Sequence, residues 1–226
     1  MVDVLPLFPL RTVLLPGTPL PLHIFEPRYR QLTVDLVRGT VPDRRFGVVA
    51  IRDAWSTEIE RLDQVQEIGC STVLRETTQL PDGRYDIHTD GQHRFRIRAI
   101  DAERKPYLMA EVEWLPDIEL PSRASYTTTR LVDTARAAYE RYRAAAAERS
   151  DWASPDPDTG PGELPYLLAA DCLLASTDRQ RLLAERHPLR RLRMVSQLLA
   201  MEAGLLSRLR AVPTHGTELA HHTSMN

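Results

Sequence analysis

The histidines, cysteines, serines and the lysine are the residues that could make this chain an enzyme, and their spacing argues against it. Lys105 is the only lysine among 29 basic residues. A phosphate-binding P-loop needs Gly-Lys-Ser/Thr, whose backbone cradles phosphate while the lysine reaches it. Lys105 sits instead in Arg104-Lys105-Pro106 with no glycine loop before it. P-loop ATP hydrolysis is therefore excluded within this chain. A Ser–Lys dyad or a Schiff base would have to use a lysine held next to proline in a turn. No serine occupies Gly-x-Ser-x-Gly, the sharp turn that exposes a hydrolase nucleophile. His23 lies in Leu22-His23-Ile24-Phe25, an apolar context that more often makes a structural histidine. His88, His93, His187 and His215 are scattered without paired metal-ligand spacing, and His221-His222 is a doublet in a polar tail rather than a designed site. Cys70 and Cys172, far apart and outside any ligand cluster, read as reduced, buried small hydrophobes. No catalytic constellation emerges, and neither a cofactor nor a metal is expected.

Two charged patterns remain. Glu58-Ile59-Glu60 and Glu111-Val112-Glu113 place carboxylates two residues apart, which on strand edges reads as a solvated face. Arg94, Arg96 and Arg98 alternate with Phe95, Ile97 and Ala99, so one face of a strand is basic and the other apolar. Such a row could hold phosphate or a peptide carboxylate. A solvated face with acidic cross-strand partners is the favoured reading.

The elements that must position these groups fall into two halves. Residues 1–120 read as a β-rich part: short runs at 2–5 and 13–15 punctuated by prolines, then 45–51, 65–80, 85–89, 93–100 and 107–115. Pro81-Asp82-Gly83 marks one turn. Asp90-Gly91 marks a second, since Asp-Gly favours tight hairpins. A single short helix opens at Pro27, with Glu26 as its cap, Tyr29, Leu32 and Leu36 on one face and Gly39 at its stop. Phe25 and Tyr29 are expected to be buried where that helix seals the sheet, so that Phe25→Ala would cost about 3–5 kcal/mol. This pattern leaves a barrel and a sandwich open and disfavours a βαβ sheet.

From 121 to 211 the period becomes helical. Helices are expected over 123–149, 164–175, a short stretch capped by Thr177, and 189–209, with a loop at 150–163. The tail, 212–226, is expected to be disordered. The fold class is thus α+β.

Composition narrows function further. The 226 residues carry 29 basic and 31 acidic side chains, a net charge of −2. A dedicated nucleic-acid binder gains its affinity by neutralising phosphates, so this balance disfavours one, as does an aromatic content of 6%. The apolar stretch from Val4 to Phe25 is broken by five prolines and Arg11 and has no basic run before it. It fits neither a membrane span nor a signal peptide, which places the protein in the cytoplasm.

The N-terminus carries more than composition. Leu5-Pro6-Leu7-Phe8-Pro9-Leu10-Arg11, then Leu14-Leu15-Pro16-Gly17, then Pro21-Leu22-His23-Ile24-Phe25-Glu26-Pro27-Arg28-Tyr29-Arg30 resemble the signature of the Lon protease N-terminal substrate-binding domain. The resemblance continues through Phe46-Gly47-Val48-Val49, Glu67-Ile68-Gly69-Cys70, Asp82-Gly83-Arg84-Tyr85 and Gly91-Gln92-His93-Arg94-Phe95-Arg96-Ile97, and weakly through Leu164-Pro165-Tyr166-Leu167-Leu168. It implies a PUA-like β barrel followed by a helical bundle, here as a stand-alone version without the ATPase and protease modules. It implies no catalysis but binding of unfolded or substrate polypeptides, as an adaptor or holdase, with a protease or chaperone as partner in trans. The alternatives are an ATP-dependent peptidase by homology only and a PUA-like RNA binder. The charged members of the motif, His23, Glu26, Arg28 and Arg30, are expected with Arg11 and Arg94 to line a polar-rimmed groove for peptide. The competing expectation is that Glu26 and one arginine form a salt bridge that merely holds the helix in place.

Overall fold

The computed structural model of the chain describes residues 2–52, 59, 61–120, 125–146 and 154–209. It divides into two compact units, Met1–Pro116 and Asp117–Asn226.

In the first unit the strands are β1 (Val2–Leu10), β2 (Pro19–Ile24), β3 (Arg45–Ala50), β4 (Ile68–Gln79), β5 (Tyr85–Asp101) and β6 (Met109–Trp114), with α1 (Pro27–Val37) between β2 and β3. They form one sheet in the order β2-β5-β4-β3-β1-β6, and β5 also pairs with β6. The long β5 makes this possible: its first half pairs with β2 and its second half with β6, both antiparallel. Five strands therefore close a circuit while β2 stays outside it, so the sheet is not the simple barrel expected. Inside, Leu7, Val49, Phe95, Ile97 and Val112 are buried in one apolar cluster. Alternating inward positions of several strands supply that burial, the main favourable term in folding.

Two expectations are corrected here. Asp90-Gly91 is no hairpin turn, because β5 runs straight through it. Gly91 serves close approach instead: a β-carbon there would lie 2.3 Å from the Leu15 carbonyl oxygen, and the Gly91 amide donates to the Thr18 carbonyl at 2.9 Å. Val13, Leu14 and Leu15 are buried but form no strand. The strand lies further on, at Pro19–Ile24, where prolines hid it. The turn that does join β4 to β5 is Pro81-Asp82-Gly83, with Gly83 in the left-handed region at φ 80°.

Helix α1 starts at Pro27, whose fixed φ suits a first helical position. Tyr29, Leu32, Thr33 and Leu36 form its buried face. Its far end is fastened by Asp35, which accepts hydrogen bonds from Tyr107 Oη at 2.7 Å and Gln31 Nε2 at 2.8 Å.

The second unit is helical among its described residues: α2 (Ser125–Ala145), α3 (Leu164–Ala170), α4 (Ser176–Ala184) and α5 (Pro188–Leu209). Helices α2 and α5 pack along each other, through faces that include Ala135, Ala138, Tyr142, Leu192, Val195 and Leu199, all buried. Helix α3 ends at Ala170, earlier than expected, and Arg179 from α4 donates to the Ala169 and Ala170 carbonyls. Helix α4 starts at Ser176 rather than after a Thr177 cap. The ends expected for the first helix of this unit (123–149) and the tail (212–226) lie outside the described residues. Among the described residues, no helix is long and apolar enough to cross a membrane.

Candidate functional site

The antiparallel register of β2 against β5 sets His23 opposite Asp86 and Ile24 opposite Tyr85. Side chains alternate between the faces of a strand, so Leu20, Leu22 and Ile24 turn inward and His23 turns out. His23 Nδ1 lies 2.7 Å from Asp86 Oδ1, and His23 Nε2 lies 3.2 Å from Arg84 Nη1. A guanidinium only donates, so Nε2 accepts and the proton of neutral His23 sits on Nδ1, donated to Asp86. Arg84 also donates from Nε to Asp82 Oδ2 at 2.6 Å. Hydrogen bonding from the Arg84 backbone amide, which leads, and from its guanidinium outweighs the opposing desolvation and holds the Asp82 carboxyl below its usual range. The result is a continuous row, Asp82–Arg84–His23–Asp86, on the outer surface where β2 meets the β4–β5 turn.

Phe25 follows directly. Its ring centroid is 6.4 Å from that of His23 with 27° between planes, and it is 46% exposed. The expectation that Phe25 is buried is wrong. It precedes α1 in the extended stretch between β2 and Pro27, outside the helical face that packs inward. Tyr29, in the first turn of the helix, is buried as expected; burial pushes its hydroxyl up to about 12, with Arg28 opposing and Glu26 adding.

The remaining motif residues divide. Arg28 donates from Nε to Glu26 Oε2 at 2.9 Å and lies over the Tyr29 ring at 4.8 Å. Glu26 is at the helix N-cap position but makes no side-chain cap bond; its carboxylate serves Arg28 instead. Arg30 packs on the β4–β5 turn, so close that a β-carbon on Gly83 would lie 2.8 Å from its Nη2. His23, Glu26, Arg28 and Arg30 are thus brought to one end of the sheet. Arg11 is exposed on the bend after β1 and, among the described residues, shares no hydrogen bond with them. Arg94 is buried, 4% exposed, and donates from Nη2 to the Leu115 carbonyl at 3.1 Å, which removes it from any solvent-facing groove. The second half of β5 is taken up by its pairing with β6, which draws Arg94 under the chain at Leu115.

The other two arginines of that row have the acidic partners expected of a solvated face. Arg96 Nε lies 3.1 Å from Glu67 and Arg98 pairs with Glu113. Hydrogen bonding from Arg98 holds the Glu113 carboxyl down. What sequence reading missed is Arg84, Asp82 and Asp86. Asp82 and Arg84 were visible in the turn motif, but only the β2–β5 register places them beside His23.

Chemically, the row is suited to recognition rather than catalysis. His23 has one nitrogen engaged by a carboxylate and the other by a guanidinium, which leaves no free basic nitrogen to activate a nucleophile. Among the described residues, no group of three or more His, Cys, Asp or Glu is placed to hold a metal. Cys70 and Cys172 are buried and unpaired, and burial pushes both thiols up, away from the reactive thiolate. An exposed aromatic ring beside a row of hydrogen-bonded polar side chains is the pattern of a surface that contacts another chain.

Fold and site therefore describe a binding domain, and comparison with known proteins says which. Residues 4–201 match the family of the ATP-dependent protease La (LON) substrate-binding domain, and the chain belongs to that family. Among curated relatives it is 28% identical over 212 residues to Lon protease of Trichlorobacter lovleyi and 26% identical over 228 residues to that of Desulfovibrio desulfuricans. Those matches cover 91% and 96% of this chain but 25% of each relative, so it spans about a quarter of their length. Among solved structures it resembles a Lon N-terminal domain protein from Xanthomonas campestris, with a TM-score of 0.56 and 28% identity, covering 88% of this chain and 98% of that one. The N-terminal domain of a Mycobacterium avium complex Lon protease has the same fold, with a TM-score of 0.63 at 17% identity and the same coverage.

Proposed function

We propose that this chain binds unfolded or substrate polypeptides without catalysis, and that Phe25 and the row beside it form the contact surface. The observation that carries this is the half-exposed Phe25 ring stacked next to His23, in a chain of a substrate-binding family. An aromatic ring held by extended backbone before a proline needs little further ordering on binding, and such anchors dominate interface energetics. His23, Glu26, Arg28, Arg30 and Arg84 offer hydrogen bonds to a bound backbone or side chain around it. Arg11 belongs to the same surface only if a ligand reaches from the end of β1. The PUA-like barrel and helical bundle, the cytoplasmic setting and the adaptor or holdase role with a protease or chaperone in trans are part of this reading. The balanced charges of Arg96 and Arg98 count against RNA as the ligand.

The test is fluorescence anisotropy of labelled β-casein, which lacks a stable fold, titrated with the protein. The expected result is saturable binding that Phe25→Ser weakens about tenfold, in line with losing roughly 1–2 kcal/mol of apolar burial. A titration that stays flat would sink the proposal. So would equal affinity for the variant, since Phe25 would then not be the anchor.

A further inference from the structure

The part of the sheet that carries the site has two outer edges, and they are treated differently. Strands β2, β5 and β4 lie side by side there, so among the described residues β2 and the end of β4 each present one side without a neighbouring strand. The β3–β4 ladder stops at Arg45 opposite Val73, while β4 continues to Gln79. Just before Arg45, Asp43 and Arg44 both take left-handed backbone, at φ 57° and 50°. Two such residues in succession cannot continue a strand, so the 42–44 turn packs beside β4 without pairing with it, and among the described residues no strand pairs with that side of β4 from Leu74 to Gln79.

Hydrogen-bond parity tells which backbone groups face outward. In an antiparallel ladder, groups alternate between facing the partner and facing away. The Gly91 amide donates to the Thr18 carbonyl, so Leu20, Leu22 and Ile24 face β5 and Pro19, Pro21 and His23 face out. Two of the three outward positions of β2 thus have no N–H, and proline on the solvent side is a known guard against strand pairing. At the other edge the Leu80 amide donates to the Arg84 carbonyl at 2.8 Å. Thr78 therefore faces β5, and Thr77 and Gln79 face out. Both keep an N–H and a C=O, both side chains are uncharged, and Thr78 and Gln79 are exposed. That edge has no proline and no lysine.

We infer that the Thr77–Gln79 edge of β4 takes an extended segment of the bound polypeptide as an added strand. The outward N–H and C=O groups of Thr77 and Gln79 stand two residues apart, about 6.8 Å, the repeat of another extended backbone. A helix, whose backbone groups are already paired, offers no match. Pairing through main chain reads no side chains, which suits a surface that accepts many sequences. This inference rests on the polypeptide-binding reading and adds a second contact at the opposite edge of β5 from Phe25.

The experiment is amide hydrogen exchange on the full chain, alone and with β-casein at a concentration that saturates the anisotropy signal. Exchange at Thr77 and Gln79 is expected to slow at least tenfold when casein binds. Thr77→Pro removes an N–H that β5 does not use and is expected to weaken casein binding at least fivefold while its far-ultraviolet circular dichroism stays that of the unsubstituted chain. Saturable casein binding with unprotected Thr77 and Gln79 amides overturns the added strand and leaves the Phe25 surface standing. Absence of casein binding overturns both. Protection that appears without casein and grows with protein concentration assigns the edge to a second copy of this chain and overturns the inference as well.

Discussion

Tyr29 stacks on Phe8 with 3.9 Å between ring centroids and 16° between planes, which joins the first turn of α1 to β1. Arg28 covers the tyrosine from outside at 4.8 Å, and Phe8 also meets Phe46 of β3 at 6.0 Å. The helix that carries the binding motif is therefore anchored by an aromatic in the core, while Phe25, four residues earlier, is left at the surface. One short segment thus supplies both the anchor and the exposed ring.

This separation predicts opposite stability effects. Tyr29→Ala is expected to cost about 3–5 kcal/mol, as large-to-small core changes do. Phe25→Ala is expected to cost less than about 1 kcal/mol, as surface substitutions usually do. Urea unfolding of both variants checks it. A loss at Phe25 as large as at Tyr29 would move Phe25 into the scaffold.

The motif and the periodicity carried the family, the α+β class and the short helix, because hydrophobic spacing and Pro27 act locally. The buried face of α1 followed from Tyr29, Leu32 and Leu36 for the same reason. The environment of Phe25 did not follow, since an aromatic just outside a helix has no periodicity to place it. Strand β2 was masked by Pro19 and Pro21, which sit on its outward side where they cost no ladder bond. Asp90-Gly91 looked like a turn because a glycine required for close approach and one required for a positive φ read alike. Arg94 was misplaced because alternation along a strand says which residues share a face, not which face a neighbouring segment covers. Arg84 and Asp86 became neighbours of His23 only through a pairing 61 to 63 residues apart in sequence.

Gly83→Ala is expected to disturb the site with modest loss of stability. The left-handed φ of 80° at Gly83 costs a residue with a β-carbon about 1–2 kcal/mol. The new methyl would also crowd Arg30 Nη2 and push that side chain off the turn. Thermal unfolding should show the first effect and weaker casein binding the second. An unchanged affinity would show that Arg30 takes no part in binding.

Asp35 predicts how stability depends on pH. Its burial raises the carboxyl, but hydrogen bonds from Tyr107 and Gln31 and the charge of Lys105, 3.5 Å away, outweigh that and hold it low. A carboxyl lowered on folding contributes stability above its unfolded pKa, about 3.9, and loses it as pH falls through the lower folded value. Asp35→Asn is therefore expected to cost about 1–3 kcal/mol at neutral pH and to flatten the decline in stability below about pH 4. Parallel urea-midpoint curves against pH for the two proteins would show that Asp35 does not contribute.

Arg191 predicts the behaviour of the helical unit. Its side chain is fully buried and forks onto both oxygens of Asp117, at 2.9 and 2.6 Å. It also donates to the Glu185 and Gly162 carbonyls at 2.7 and 2.5 Å and lies 4.3 Å over the Tyr166 ring. One guanidinium thus ties the segment before α2, the start of α3, the end of α4 and α5 together. Removing one partner of a buried ion pair costs about 3–5 kcal/mol, because the other charge is stranded. Asp117→Asn is expected near the lower end, since Asp117 is partly exposed and the two carbonyls still hold Arg191. Arg191→Met is expected to cost more, because four acceptor contacts and the stacking on Tyr166 go at once. Urea unfolding followed by far-ultraviolet circular dichroism at 222 nm reads this unit, and equal costs for the two variants would mean the carbonyls and Tyr166 add nothing beyond the carboxylate.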